Sequence, residues 1–257
     1  SDTFQPRPMD VTSYKQNTVG IQAALADTSL PTLYWNNHDM ARVATRYGDP
    51  DYPQASAKAL ATALYLQRGI PIIYYGEELG LTNIRYHDIA DFEDQTVPTF
   101  VASAQAAGKS KVEIMRMLNQ THKMAGRGPM QWDNTVYHGF SDHLPWKHGD
   151  TDDMNAQAEI ADPDSIYHYY QQLLQLKQCA PFTNGQLIML GSAEQLFTYL
   201  IDDGQKQAAI VCNLSAQAQT YLLPFVGGKV LLVQGGATYR GRQVTLPAWS
   251  SLVVKSA

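Results

Sequence analysis

Three polar residues follow an apolar run near the start of the chain and could do chemistry together. The run Leu30–Trp35 ends at Asn36, and Asn37, His38 and Asp39 come next. Catalytic groups of parallel α/β proteins collect where strands end and loops begin, so a buried strand would carry these side chains into a cleft. A second interpretation stays open, in which Asp39 caps the next helix and His38 binds a loop carbonyl.

The elements that must position this cluster alternate between helix and strand. Apolar spacing predicts a helix after a cap at Thr12 or Ser13, and a second helix that ends before Gly69. The apolar runs at 30–36 and 70–75 are too short for helices and predict buried strands. Helix, strand, helix, strand with short joints is typical of βα units.

Two later helices flank a long irregular region. Apolar spacing predicts a helix at 111–122, with Val112 and Leu118 on its buried side, and another helix that contains Ile166. The region 124–161 between them is rich in Gly, Pro, Trp and Asp. Loops of that length usually have a function in compact proteins, so we expect a functional loop here.

The last third of the chain has a different pattern. Beyond Gln178, short alternating apolar runs are separated by turn signals, one of which is Asp203-Gly204. Such runs pair as hairpins when glycine supplies the turn. The pattern predicts a small antiparallel β domain.

Composition excludes several classes of function. The net charge is −5, and no basic stripe is present, so we expect no nucleic-acid partner. No apolar segment reaches the ~18 residues that span a bilayer, and we expect no membrane partner. Cys179 and Cys212 stand in no metal-type or disulfide spacing, which predicts reduced thiols and a cytoplasmic location.

Three motifs give the polar cluster a family context. The chain reads WNNHDMAR around Asp39, GIPIIYYGEELGLTN around Glu77, and RGPMQWD from Arg127. In this order and at this spacing they resemble the α-glucosidases of glycoside hydrolase family 13, especially the group of oligo-1,6-glucosidases, dextran glucosidases and trehalose-6-phosphate hydrolases. The resemblance covers nearly the whole chain.

The resemblance implies a fold as well as an activity. It predicts an α/β protein that contains the last part of a (β/α)8 TIM barrel, strands 7 and 8 with their flanking helices, at 1–177. A small all-β sandwich domain would follow at 178–257. The strand before Asn37 matches the seventh barrel strand of the family, and the strand before Gly76 matches the eighth.

The resemblance also implies roles for single residues. Asp39 resembles the third carboxylate of the active site, a catalytic transition-state stabiliser that is neither nucleophile nor acid. His38 and Asn37 would bind the same sugar. Arg127 would offer its planar fork of donors to sugar hydroxyls, and Arg42 would face the leaving group. No cofactor or metal is implied.

The sequence departs from the family's pattern at three places. Met40-Ala41 stands in place of Gln-Pro, Tyr75 in place of a glutamine, and Gly128 in place of a threonine. These departures leave the leaving-group subsite and the exact substrate open. For Glu77 and Glu78 we favour a structural role in organising the loop.

Retaining hydrolysis of a glycosidic bond needs a nucleophile and an acid/base about 5 Å apart. In the family these stand on the fourth and fifth barrel strands, which have no counterpart in this sequence. We therefore expect a fragment of a retaining α-glucosidase that acts on α-linked gluco-oligosaccharides of the isomalto type, and we expect the fragment alone to be inactive. Exposed barrel-strand edges also predict self-association.

Two alternatives stay open. The first is another family 13 specificity, such as trehalose-6-phosphate hydrolase, because the sequence does not show the residue that separates 1,6 from 1,4 cleavage. The second is a non-catalytic carbohydrate-binding or assembly protein. Such a protein has no need of Asn37-His38-Asp39 together with Arg127, so their presence favours an enzyme.

Overall fold

A computed structural model describes residues 4–26 and 28–257, which pack as two compact units. The first unit contains the described part of Ser1–Met9 together with Trp35–Gly48 and Ile73–Tyr167. The second contains the described part of Asp10–Tyr34 together with Asp49–Ile72 and His168–Ala257. Each unit is assembled from separate segments, and the predicted domain boundary after residue 177 stays a prediction.

The helices and strands of the described residues follow one another in an order that matches most of the predicted elements. The α-helices are α1 Val11–Ala24, α2 Val43–Tyr47, α3 Pro53–Tyr65, α4 Thr96–Ala106, α5 Lys111–Thr121, α6 Ala156–Ala161 and α7 Ile166–Lys177, with 3-10 helices at Glu77–Leu79, Ile89–Phe92 and Lys123–Arg127. The strands are β1 Thr32–Leu33, β2 Ile70–Pro71, β3 Gln186–Met189, β4 Leu196–Asp202, β5 Gln207–Asn213, β6 Gln219–Leu222, β7 Lys229–Gln234, β8 Thr238–Arg240, β9 Gln243–Leu246 and β10 Ser251–Lys255. Within these residues, no helix is both long enough and apolar enough to cross a membrane.

The strands β1 and β2 form a short parallel pair in the second unit. Thr32 lies opposite Ile70, and Leu33 lies opposite Pro71. The backbone N–H of Ile70 donates to the carbonyl of Pro31 at 2.9 Å, and the N–H of Ile72 donates to the carbonyl of Leu33 at 2.8 Å. Both strands are shorter than the apolar runs that predict them, but their parallel direction agrees with the predicted βα units.

The antiparallel strands of the second unit form two sheets. One sheet has the strand order β3-β4-β5-β10-β7, and the other has the order β6-β9-β8. The inner faces share one apolar cluster, and the other face of the larger sheet contacts α3, so β4 and β5 are buried on both faces. This pattern confirms the predicted antiparallel β domain. The shared cluster contains Leu196, Leu200, Ala209, Val211, Leu223, Ala237, Val244, Leu246, Leu252 and Val254.

The helix α5 in the first unit buries a different side from the one predicted. Ser110 and Glu113 form a capping box that fixes the start of the helix. Ile114 is buried in the core of this unit together with Leu118, whereas Val112 is 79% exposed. The prediction for Val112 is therefore wrong, because the partners of α5 include α4, a helix that the sequence pattern did not reveal.

His122 follows α5 and is buried in this core. Its side chain is 1% exposed, and its ring lies 5.0 Å from that of Phe4 and 5.2 Å from that of Phe92 between centroids. Its Nδ1 accepts a hydrogen bond from the backbone N–H of Met124. Burial lowers the pKa of His122 from 6.5 to about 4, although the nearby Asp94 carboxylate opposes this shift.

This buried histidine predicts a loss of stability on acidification. The folded pKa lies below the unfolded pKa, so the unfolded chain binds the extra proton first as the pH falls. The stability contributed by neutral His122 is therefore fully present above pH 6.5 and is lost between about pH 6.5 and pH 4. We expect urea unfolding of the His122→Asn variant to depend less on pH in this window. An equal pH dependence in both proteins would show that another group is responsible.

Candidate active site

The turn that follows β1 in the chain brings Asp39 to Arg127. The Oδ1 atom of Asp39 lies 3.1 Å from Nη2 of Arg127. The Nε–H of the same guanidinium donates to the backbone carbonyl of His38 at 2.6 Å. Two donors of one planar group thus bind two neighbouring residues, which fixes the guanidinium more firmly than a single contact would. The structure therefore brings together the candidate residues Asp39, His38 and Arg127.

The carboxylate of Asp39 stays accessible in this arrangement. Its side chain is 60% exposed, and its Oδ2 lies 3.3 Å from Nε2 of His38, whose imidazole is also exposed. The helix α2 begins after Arg42, so Asp39 does not cap it, and the capping interpretation is wrong. An exposed carboxylate between an imidazole and a guanidinium can accept hydrogen bonds from the hydroxyls of a bound polyol.

Asn37 stabilises the turn by accepting hydrogen bonds from backbone N–H groups of the turn. Its side-chain Oδ1 accepts a hydrogen bond from the backbone N–H of Asp39 at 2.8 Å. Its backbone carbonyl accepts from the N–H of Met40 at 3.2 Å. Asparagine side chains commonly stabilise turns through such contacts with the backbone two residues on. A direct contact between Asn37 and a sugar stays a prediction.

Asn36 joins the base of the turn to its surroundings, a role that was not predicted from the sequence pattern. Its side chain is 2% exposed. Its Oδ1 accepts from the N–H of Val43 at 2.5 Å, and its Nδ2 donates to Oε2 of Glu77 at 2.5 Å. Glu77 is also buried, which agrees with the structural role favoured for it. A signal was present in the sequence, since Asn36 is a polar residue that ends a buried apolar run.

Arg42 lies apart from the exposed cluster. Its side chain is buried, its Nη1 donates to the carbonyl of Tyr75 at 2.7 Å, and burial lowers its pKa. The guanidinium carbon lies 5.2 Å from the ring centroid of Tyr74 and 4.8 Å from that of Tyr75. Gly76 has a left-handed backbone with φ +78°, and a Cβ there would come within 3.2 Å of Nη1. The structure therefore does not place Arg42 on the surface that Asp39 and His38 share.

A buried amide continues this network beneath the site. Asn83 accepts a hydrogen bond from the backbone N–H of Arg42 through its Oδ1 at 2.8 Å. Its own backbone N–H donates to the hydroxyl of Thr45, and its Nδ2 donates to the carbonyl of Asn119. Because these contacts join the start of α2 to the end of α5, they hold the segment after Asp39 in place.

Two glycines allow the segment around Arg127 to approach the turn closely. A Cβ at Gly126 would lie 2.6 Å from the carbonyl oxygen of Met40, and a Cβ at Gly128 would lie 2.4 Å from Cγ2 of Ile84. Both distances are too short for any larger residue without a shift of the backbone or of a branched side chain. Glycine at 126 and 128 therefore sets how near Arg127 comes to Asp39.

Comparison with known families and proteins shows which sequences this chain is similar to. Residues 1–185 match the family model described as alpha amylase, catalytic domain, and residues 193–253 match a domain of unknown function named DUF3459. Over 223 residues the chain is 32% identical to an oligo-1,6-glucosidase of Halalkalibacterium halodurans, covering 85% of this chain and 40% of that protein. Over 228 residues it is 33% identical to a glucan 1,6-alpha-glucosidase of Streptococcus pneumoniae serotype 4, covering 87% and 43%.

Solved structures show the same relationship. A family GH13_31 enzyme superposes with a TM-score of 0.87 at 39% identity and covers 99% of this chain and 46% of that one. The trehalose-6-phosphate hydrolase of Bacillus licheniformis superposes with a TM-score of 0.91 at 28% identity, covering 99% and 48%. The chain spans about 40% of the length of the curated relatives that it matches. It belongs to the alpha-amylase family, and its fold combines part of that family's TIM-barrel catalytic domain with a C-terminal β domain.

Proposed function

We propose that this chain contributes part of the active site of a retaining α-glucosidase that hydrolyses α-linked gluco-oligosaccharides of the isomalto type. The observation that carries the proposal is the contact of Arg127 with Asp39 and His38, which lie on one exposed turn of an alpha-amylase family chain. Relatives named oligo-1,6-glucosidase and glucan 1,6-alpha-glucosidase support this substrate class.

The geometry suits the stabilisation of a sugar that becomes positively charged. Glycoside hydrolysis passes through an oxocarbenium-like transition state, and hydrogen bonds to ring hydroxyls strengthen as that charge develops. The Asp39 carboxylate would accept such hydroxyls while its charge favours the cation. Arg127 holds one oxygen of Asp39 and has further N–H donors for the sugar, and the exposed His38 imidazole adds another polar contact.

The two parallel strands fit a place late in the barrel. We assign β1 to the seventh barrel strand and β2 to the eighth, with a barrel domain at 1–177 and a β-sandwich domain at 178–257. Parallel pairing of β1 with β2, and the two antiparallel sheets after α7, support this assignment. The nucleophile and the acid/base would come from other strands of the longer protein.

Trehalose-6-phosphate hydrolysis is the alternative activity. It is supported by the TM-score of 0.91 to the enzyme of that name, over 99% of this chain. The departures at Met40-Ala41, Tyr75 and Gly128 do not discriminate between the two substrates. Hydrolysis of isomaltose and of trehalose 6-phosphate by the longer protein separates them directly.

The proposed function is tested by comparing the longer protein with the chain alone. We expect the longer protein to hydrolyse isomaltose and p-nitrophenyl α-glucoside. We expect no turnover by the chain alone, because Asp39 supplies neither a nucleophile nor a proton donor. Turnover by the pure chain would contradict this division of roles. Sugar binding by the longer protein without any hydrolysis would favour the non-catalytic alternative.

Two further expectations stay predictions. Self-association through strand edges is supported by large apolar side chains that are exposed in β2 or next to β1 and β2, including Tyr34, Ile70 and Ile72. The cytoplasmic location still rests on cysteine usage in the sequence. The proposed partner is the oligosaccharide substrate.

A further inference from the structure

Two of the places where this sequence departs from the family's pattern are in direct contact. The hydroxyl of Tyr75, where the family has a glutamine, donates a hydrogen bond to the carbonyl of Gly128 at 2.6 Å. The family has a threonine at the position of Gly128. A phenol reaches farther from its backbone than a glutamine amide does, which lets the hydroxyl of Tyr75 reach this carbonyl.

The backbone and the ring of Tyr75 both contact the buried Arg42. Its carbonyl accepts from Nη1 of Arg42, and its ring lies 4.8 Å from the guanidinium carbon of the same residue. Arg42 is itself buried and fixed by Asn83 through its backbone N–H. Tyr75 thus contacts the buried Arg42 through its backbone carbonyl and its ring, and it contacts the carbonyl of Gly128 through its hydroxyl.

Gly128 follows directly on Arg127 in the chain, so a shift of its backbone would also shift the backbone that carries the guanidinium. Ile84 packs against one side of Gly128, since a Cβ there would lie 2.4 Å from Cγ2 of that residue. The hydroxyl of Tyr75 restrains the carbonyl of Gly128. The neighbouring guanidinium then reaches the carbonyl of His38 and the carboxylate of Asp39.

We propose that Tyr75 is a positioning residue that sets the Arg127 guanidinium and, through it, the Asp39 carboxylate. The inference rests on the proposed function for its catalytic consequence, because Asp39 and Arg127 are the groups that would touch the sugar. The positioning itself is a property of the chain alone. The hydrogen bond to Gly128 is the contact that transmits it.

The first experiment measures the Arg127 Nε–H in the chain alone by NMR. Its hydrogen exchange is compared in the unmodified chain, in Tyr75→Phe and in Tyr86→Phe. The hydroxyl of Tyr86 donates to the carbonyl of Met124, which lies in the same 3-10 helix as Arg127. The control therefore also removes one phenol–carbonyl hydrogen bond near Arg127. We expect exchange about tenfold faster in Tyr75→Phe, the effect of one lost hydrogen bond. We expect no change at Arg127 in Tyr86→Phe.

The second experiment measures isomaltose hydrolysis by the longer protein. We expect Tyr75→Phe to lower kcat with little change in KM, because the misplaced pair acts mainly in the transition state. The double variant Tyr75→Phe/Arg127→Lys should be no slower than Arg127→Lys alone, since Tyr75 acts through Arg127. If Tyr75→Phe does not fold, Tyr75→Met replaces it.

Each outcome decides one proposal. Equal exchange at Arg127 in the unmodified chain and in Tyr75→Phe would overturn the positioning role, whatever the activity. Additive losses of kcat in the double variant would also overturn it. An unmodified longer protein that does not hydrolyse α-glucosides would contradict the proposed function and leave the exchange result to decide the role of Tyr75.

Discussion

Replacing Asp39 by asparagine in the longer protein is expected to lower kcat for isomaltose about 10²–10³-fold, the usual effect of removing one preorganised electrostatic group. Asparagine keeps the shape of the side chain and one acceptor oxygen, but it removes the negative charge that favours the oxocarbenium-like state. KM should change much less, because the acceptor can still bind a hydroxyl in the ground state. Steady-state kinetics on isomaltose measure both quantities.

A matched control is the variant Asp142→Asn. Asp142 lies in the long loop of the same unit, is highly exposed and pairs with His143, so the variant makes the same change of charge at a different ion pair. It should retain the kinetics of the unmodified enzyme. Equal losses in both variants would point to a general electrostatic effect, and full activity of Asp39→Asn would remove Asp39 from the mechanism.

Replacing Asn36 by alanine is expected to lower the free energy of unfolding by about 2–6 kcal/mol, since two buried groups lose a partner and each such loss costs about 1–3 kcal/mol. The N–H of Val43 loses its side-chain acceptor, and Oε2 of Glu77 loses the amide donor. Urea unfolding of the chain alone measures the change. The turn that carries Asp39 should become less rigid as a result.

The neighbouring variant Asn37→Ala is the control for this prediction. Asn37 is half-buried, and its side chain makes a hydrogen bond with the N–H of Asp39 in the exposed turn. Loss of one such bond near solvent is expected to cost about 1 kcal/mol. Similar losses for the two variants would mean that the buried contacts of Asn36 are no stronger than a turn contact at the surface.

The sequence predicts the residue types at the site better than it predicts their contacts. The motifs around Asp39 and Arg127 indicate one active site because they resemble a known family. The pairing itself joins residues 88 positions apart, and no local pattern encodes such a distance. Arg42 illustrates the limit, because its burial depends on Tyr75 and on a left-handed glycine at 76.

The same limit applies to the fold. The antiparallel β domain follows from alternation and from turn residues, yet the strands β3, β8 and β9 were not predicted, because three or four residues give little alternation to detect. The helix α4 was missed because it begins within a polar excursion and carries Pro98 near its start. Tertiary packing stabilises these elements: α4 contributes to the core that contains α5, and β3 pairs with β4.

Pro71 in β2 makes the two outer edges of the small parallel sheet unequal in the backbone hydrogen-bonding groups that they expose. Ile70 and Ile72 direct their N–H groups to β1, so position 71 faces the opposite edge, where proline has no N–H to offer. The N–H and the C=O of Thr32 both point to the outer edge of β1, because the carbonyls of Pro31 and Leu33 on either side accept hydrogen bonds from Ile70 and Ile72. An added strand could therefore form hydrogen bonds with both the N–H and the C=O of Thr32, but only with the C=O of Pro71. Addition of a strand to this sheet is favoured on the β1 side.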